Sequence, residues 1–201
     1  MIEEDILRQA ETYAMDTMRN YDSSHDWQHV LRVRRYARYI NAIEQTANPF
    51  LLDLVAILHD TADKKFHKAD DAYVYLADFL IRLGLHSESE KIIFIIRNVS
   101  FSSSGNERCN YPELKILQDA DRLDAIGAIG VARAFSYGGF RNNSIHDPLS
   151  PGRETTIKHF YDKLLKIRDL MNTKTGRQLA EERHNFIQLF LNQFLDEWNL
   201  G

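Results

Sequence analysis

The chain has 201 residues, enough for one sizeable core or at most two small domains. Lys and Arg number 25 against 29 Asp and Glu, a formal net charge of −4, which leaves no basic field for a nucleic acid. The single Cys109 excludes an internal disulfide framework, and the acidic, amphipathic start MIEEDILRQAETYAMD is not a signal peptide. With no apolar run of membrane-spanning length, these features predict a cytoplasmic protein with no membrane partner.

Helical periodicity dominates the chain. Residues 2–19 predict an amphipathic helix, closed by the polar break at 20–24. Ser24 or Asp26 can cap the next helix, which runs to about Glu44 and opens His25-Asp26-Trp27-Gln28-His29. Asn48-Pro49 opens a third helix, with proline tolerated in the first turn because its missing N–H was unpaired anyway. That helix is a greasy run ending on His59-Asp60, a pair costly to bury without a partner. A polar stretch over 61–68, holding Asp63, Lys64 and Lys65, leads to a helix that ends near Gly84. Ser87 with Glu90 fits a capping box. The run Ile92–Ile96 is strand-like by propensity but reads as buried helix in helical surroundings. After a polar loop at 101–110, Pro112 starts one long helix through Asp119, Asp121 and Asp124 that Gly138-Gly139 stops. A second loop spans 140–153, and helices at about 154–171 and 174–198 finish the chain. The reading is a single all-α helical-bundle domain over 1–201. Its motif core is at about 20–140, with the C-terminal helices 154–198 packed on it.

Imidazole nitrogens and carboxylate oxygens are ligands for a divalent first-row metal. Helices offering one or two such groups each can converge in a bundle core. Here the offers are His29, then His59-Asp60, then an aspartate among Asp119, Asp121 and Asp124. Asp124 shares the face of Asp121, whereas Asp119 lies about 200° around the helix. A metal held there would lower the pKa of bound water and polarise a phosphorus centre. His25 and His29 flank an acid in the manner of H-E-x-x-H. That zinc-protease reading fails because Asp is shorter than the usual Glu and the motif sits at a helix start. Arg32, one turn from His29, can clamp phosphate with its planar fork. Asp63, three residues after Asp60, lines the same cavity on a continuing turn. Each has a bland alternative: a capping histidine, a solvated arginine, a surface carboxylate paired with Lys64 or Lys65. Arg133, Tyr137, Lys158, His159, Lys163 and Arg183 are further candidates for a phosphate or base pocket, Lys163 foremost, though most read as an exposed charged stripe. Phe160, Phe186, Phe190 and Phe194 recur at helical spacing and read as core.

The phrases SHDWQHVLRV, ILHD and QDADRLDAIGAIGVARAF resemble the HD-domain superfamily, and within it the bacterial YpgQ/YedJ-like group of phosphohydrolases. The later stretch HFYDKLLKIRDLMNTKTGRQLAEERHNFIQLFLNQF is similar to that group as well. The resemblance implies metal ligation by His29, His59, Asp60 and Asp121, the last because Ala120-Asp121-Arg122-Leu123 aligns with the family's A-D-R-L. It implies catalytic work for Asp63 and His25, and substrate or phosphate contacts for Arg32, Lys64, Asp124 and Lys163. Two-metal members carry extra histidines between the HD pair and the last aspartate. That interval here holds only His67 and His86, with VSFSS at 99–103, which implies one divalent ion. Mn2+ is favoured over Mg2+, Fe2+, Co2+ or Ni2+. The implied substrate is a nucleotide or another small phosphorylated metabolite, and the favoured activity is nucleoside triphosphate pyrophosphohydrolysis. A 5′-nucleotidase-type phosphomonoesterase and a non-catalytic metal-dependent nucleotide-binding module are the alternatives. The chain is expected to act as a monomer or homodimer.

Overall fold

Ile6, Ala10, Ala14 and Met18 recur at four-residue spacing and form the buried stripe of α1 (Glu3–Met18). The computed structural model of the chain describes residues 2–19, 26–62, 71–99, 110–150 and 152–200. Helix α2 (Trp27–Glu44) buries Val30, Val33, Ala37 and Ile40. It ends where Gln45 turns left-handed at φ 52°, its N–H donating to the Asn41 carbonyl. Helix α3 (Pro49–Leu58) starts as its sequence dictates: Pro49 sits in the first turn, and the Asn48 side chain accepts the Leu51 N–H at 2.9 Å. Every residue from Leu51 to Leu58 is buried. A helix apolar on all sides must be covered on all sides, and α1, α2 and α5 (Ser89–Arg97) pack on it. Helix α4 (Asp71–Arg82) lies on α5.

One polar residue interrupts the greasy run of α3. Asp53 accepts hydrogen bonds from Arg34 and Arg38, one turn apart on α2, and Arg34 reaches on to Glu11 of α1. Burial alone would raise the Asp53 carboxyl, but the hydrogen bonds from Arg38 and Arg34 outweigh it and hold it below the usual carboxylate range.

Helix α6 (Pro112–Asp124) carries the chain from one compact unit, Met1–Ala120, into another, Asp121–Gly201. The second unit holds α7 (Gly127–Phe140), α8 (Thr156–Asp162), a 3-10 helix (Leu164–Leu170) and α9 (Lys174–Trp198). Within it α7 and the 3-10 helix pack on α9, and Phe135, Phe160 and Phe190 meet with ring centroids 5.8–6.0 Å apart. Among the described residues no strand forms, only an isolated parallel bridge between Ser144 and Thr155. No helix there is long and apolar enough to cross a membrane.

The all-α class and most helix positions match the sequence reading, with four corrections. The expected Ser87–Glu90 capping box does not form: Ser87 donates to the Glu88 side chain, and α5 begins later, at Ser89, with no side-chain cap. The expected single helix from Pro112 to Gly138 is two helices, broken where Gly127 adopts φ +76°. The expected helix at 154–171 is likewise divided at Lys163, where the α-helix gives way to the tighter 3-10 form. Phe186, expected in the core, is exposed, because the buried face of α9 runs through Ala180, His184, Ile187 and Leu191.

Candidate metal centre

The first turn of α2 and the end of α3 each deliver a histidine. Asp26 caps α2, its carboxylate accepting the His29 N–H at 2.8 Å, and this places His29 in the first helical turn. His59 occupies the C-cap of α3 and Asp60 follows in the turn. The last carbonyls of a helix lack intrahelical partners, and here the next side chains take them. His59 Nδ1–H donates to the Ala56 carbonyl at 2.8 Å, and Thr61 Oγ1 donates to the Leu58 carbonyl at 2.8 Å. The imidazole is thereby locked in orientation.

That lock has a chemical consequence. A carbonyl only accepts, so His59 Nδ1 carries a proton and the Nε2 of the neutral ring is a bare lone pair. His59 Nε2 lies 3.3 Å from His29 Nε2. The Asp60 carboxylate sits against both, Oδ2 at 3.4 Å from His29 Nε2 and Oδ1 at 3.4 Å from His59 Nε2. These separations exceed a good hydrogen bond. They match the roughly 3 Å between neighbouring ligand atoms that each lie about 2.1 Å from a shared ion. His29 and His59 are buried, at 2% and 5% exposure, so water is a poor substitute partner. Helix α6 carries Asp121, the first residue of the second unit, in its last turns. Two imidazoles and the Asp60 carboxylate are ligand types that suit a divalent cation.

The remaining expected residues fall in different places. Arg32 is half-buried on α2, one turn beyond His29. Asp119 and Asp124 are fully buried, and the Asp124 carboxylate accepts from Arg133 Nη1 at 2.8 Å. Lys163 stands at the junction of α8 and the 3-10 helix, beside His159. Burial, and then the charge of Lys163, push the His159 imidazole below its ordinary value. Lys158 pairs with Glu154, just ahead of α8, and with Asp162 at its end, as a charged stripe does. His25, Asp63 and Lys64 lie outside the described residues. Sequence reasoning missed the Asp53 network. The signals were an aspartate inside an apolar run and an Arg34/Arg38 pair at i,i+4 on the preceding helix.

A family model described as "HD domain" matches residues 26–126, a stretch that contains His29, His59, Asp60 and Asp121. The chain is 39% identical to the Bacillus subtilis protein YpgQ over 197 residues, covering 93% of this chain and 92% of that one. An HD-superfamily hydrolase from Bacillus thuringiensis has a crystal structure that superposes with a TM-score of 0.81 at 36% identity, covering all of both chains. The crystal structure of B. subtilis YpgQ in complex with ADP superposes with a TM-score of 0.79 at 34% identity, over 97% of this chain and 98% of that one. With its family match lying across the clustered histidines and aspartates, this chain belongs to the HD-domain family and is a metal-dependent phosphohydrolase.

Proposed function

We propose that the enzyme hydrolyses nucleotides, with nucleoside triphosphate pyrophosphohydrolysis as its activity and a single divalent ion, Mn2+ favoured, as its cofactor. The observation that carries the metal site is the pair of Nε2 atoms facing each other at 3.3 Å, one of them oriented by the Ala56 carbonyl. His29, His59, Asp60 and Asp121 would hold the ion, which when bound supplies Lewis acidity and an activated water. Arg32, Lys64 and Lys163 would bind and orient the phosphate chain. Asp63, with His25, would move the proton between water and leaving group. The ADP bound to YpgQ supports a nucleotide as the substrate class.

The reading is tested by incubating the protein with one nucleoside triphosphate at a time in the presence of Mn2+ and separating the products by chromatography. A monophosphate plus pyrophosphate is expected. Diphosphate plus orthophosphate would place attack at the γ-phosphorus and overturn the pyrophosphohydrolase assignment. Phosphate release from monophosphates alone would replace it with a 5′-nucleotidase. Nucleotide binding without turnover, under any added metal, would leave only a binding module.

A further inference from the structure

The C-terminal end of a helix leaves its last carbonyls without intrahelical partners and carries the negative end of the helix dipole. At the end of α6 two arginines from other helices occupy that position. Arg183 of α9 donates from Nη1 to the Leu123 carbonyl. Arg133 of α7 donates from Nη1 to the Asp124 carbonyl at 3.2 Å and to the Asp124 carboxylate at 2.8 Å. Asp124 has 0% exposure, and a carboxylate so buried needs a charged partner of this kind.

The turn after α6 is built to admit these side chains. Gly127 adopts φ +76°, and a Cβ placed on it would lie 2.9 Å from Arg183 Cγ and 3.2 Å from Arg183 Cβ. The aliphatic stem of Arg183 therefore lies directly over the glycine. Gly130 is equally constrained, since a Cβ there would collide with the Ala125 carbonyl oxygen. Asp121 stands three residues before Asp124 on the same helix, so the turn held by the two arginines is the turn that carries Asp121.

We propose that Arg133 and Arg183 are positioning residues that clamp the last turn of α6 and hold the Asp121 carboxylate in its coordinating pose. The inference rests on the metal site proposed above. Helix ends fray by a residue or two unless their carbonyls are engaged. A ligand on a fraying turn loses the placement, within about 0.5 Å, that coordination demands. Groups that orient a ligand from behind typically change metal affinity by about 10–100-fold when removed.

The test uses the whole chain with Mn2+ alone, titrated by calorimetry, and Co2+ as a spectroscopic probe of coordination. R183M keeps the stem over Gly127 and removes the guanidinium. The double variant D124N/R133Q replaces the ion pair with a neutral amide pair, so no lone buried charge remains. Both are expected to bind Mn2+ about 10–100-fold more weakly and to shift the Co2+ absorption bands. R183K, which keeps a cation for the Leu123 carbonyl, is expected to recover part of the loss. Folded variants with wild-type Mn2+ affinity and an unchanged Co2+ spectrum would overturn the clamp and leave the metal site standing. A wild-type chain that binds neither ion would overturn the metal site and the clamp together. Should R183M fail to fold, D124N/R133Q decides by the same two measurements.

Discussion

Residue by residue, the proposed mechanism separates holding an ion from moving a proton. Asp60 faces both histidines at 3.4 Å, the arrangement the proposed ion would use. Asp60→Ala is expected to abolish Mn2+ binding and turnover together, by calorimetry and a phosphate-release assay. Asp63 follows three residues downstream of Asp60. Asp63→Asn is expected to spare Mn2+ binding and lower turnover by about 10²–10⁴-fold, the usual worth of a general acid or base. Unchanged turnover, measured where chemistry limits the rate, would remove Asp63 from the mechanism. His59 and Asp60 stood out in the sequence because ionisable residues at the end of an apolar run need a reason, whereas the choice of Asp121 over Asp119 and Asp124 came only from the resemblance to the family's A-D-R-L. The Asp124–Arg133 pair was not legible as a pair, because nine residues and a helix break separate its members.

Among the helices, two glycines of α7 make a contrasting pair. Gly130 leaves no room for a Cβ, which would strike the Ala125 carbonyl, and a backbone carbonyl cannot rotate away. Gly139 sits in the same helix, and nothing lies within 4 Å of where its Cβ would stand. Gly130→Ala is expected to destabilise the chain by about 1–3 kcal/mol, the cost of overpacking. Gly139→Ala is expected to stabilise it by about 0.5–1 kcal/mol through helix propensity. Urea unfolding of both variants checks the contrast, and equal effects would refute the close approach at Ala125. The break just before α7 also explains why one predicted helix is two. Periodicity carries across residues 112–138 without interruption, and the chain turns where Ile126 is extended and Gly127 takes a positive φ. A glycine in a sequence permits such a turn without demanding it.

For the molecule as a whole, stability should depend on both acid and metal. Asp53 has a folded-state pKa below its ordinary value of 3.8, so its contribution is full above that value and is lost as pH falls through the lower folded value. His159 is also held below its ordinary 6.5, by burial and by Lys163. Its neutral form is favoured by folding, so its contribution is full above about 6.5 and declines as pH falls toward the depressed folded value. Thermal melts across pH should therefore show two descending steps. His159→Gln is expected to flatten the upper one, and Asp53→Asn, at a cost of about 1–3 kcal/mol at neutral pH, the lower one. A wild-type profile flat from pH 7 to pH 5 would contradict the His159 step. Saturating Mn2+ should raise the melting temperature, with about 2.7 kcal/mol of stabilisation at a hundredfold excess over Kd. A chelator should reverse it, and a melting temperature indifferent to both would argue against a site that forms only in the folded chain.

Local sequence was enough for the helical class, the opening of α3 at Asn48-Pro49, the buried run of α3, and the residue types able to serve a metal. These depend on propensity and on periods of a few residues, which lie within any short window of the chain. Packing settled the rest. It brought His29 and His59 to 3.3 Å across thirty residues and paired Asp53 with two arginines. It also ended α6 at Asp124, with Arg133 and Arg183 at its carbonyls. Each of these is a contact between segments distant in sequence, set by how helices pack, and no local pattern encodes the partner a buried polar group will find.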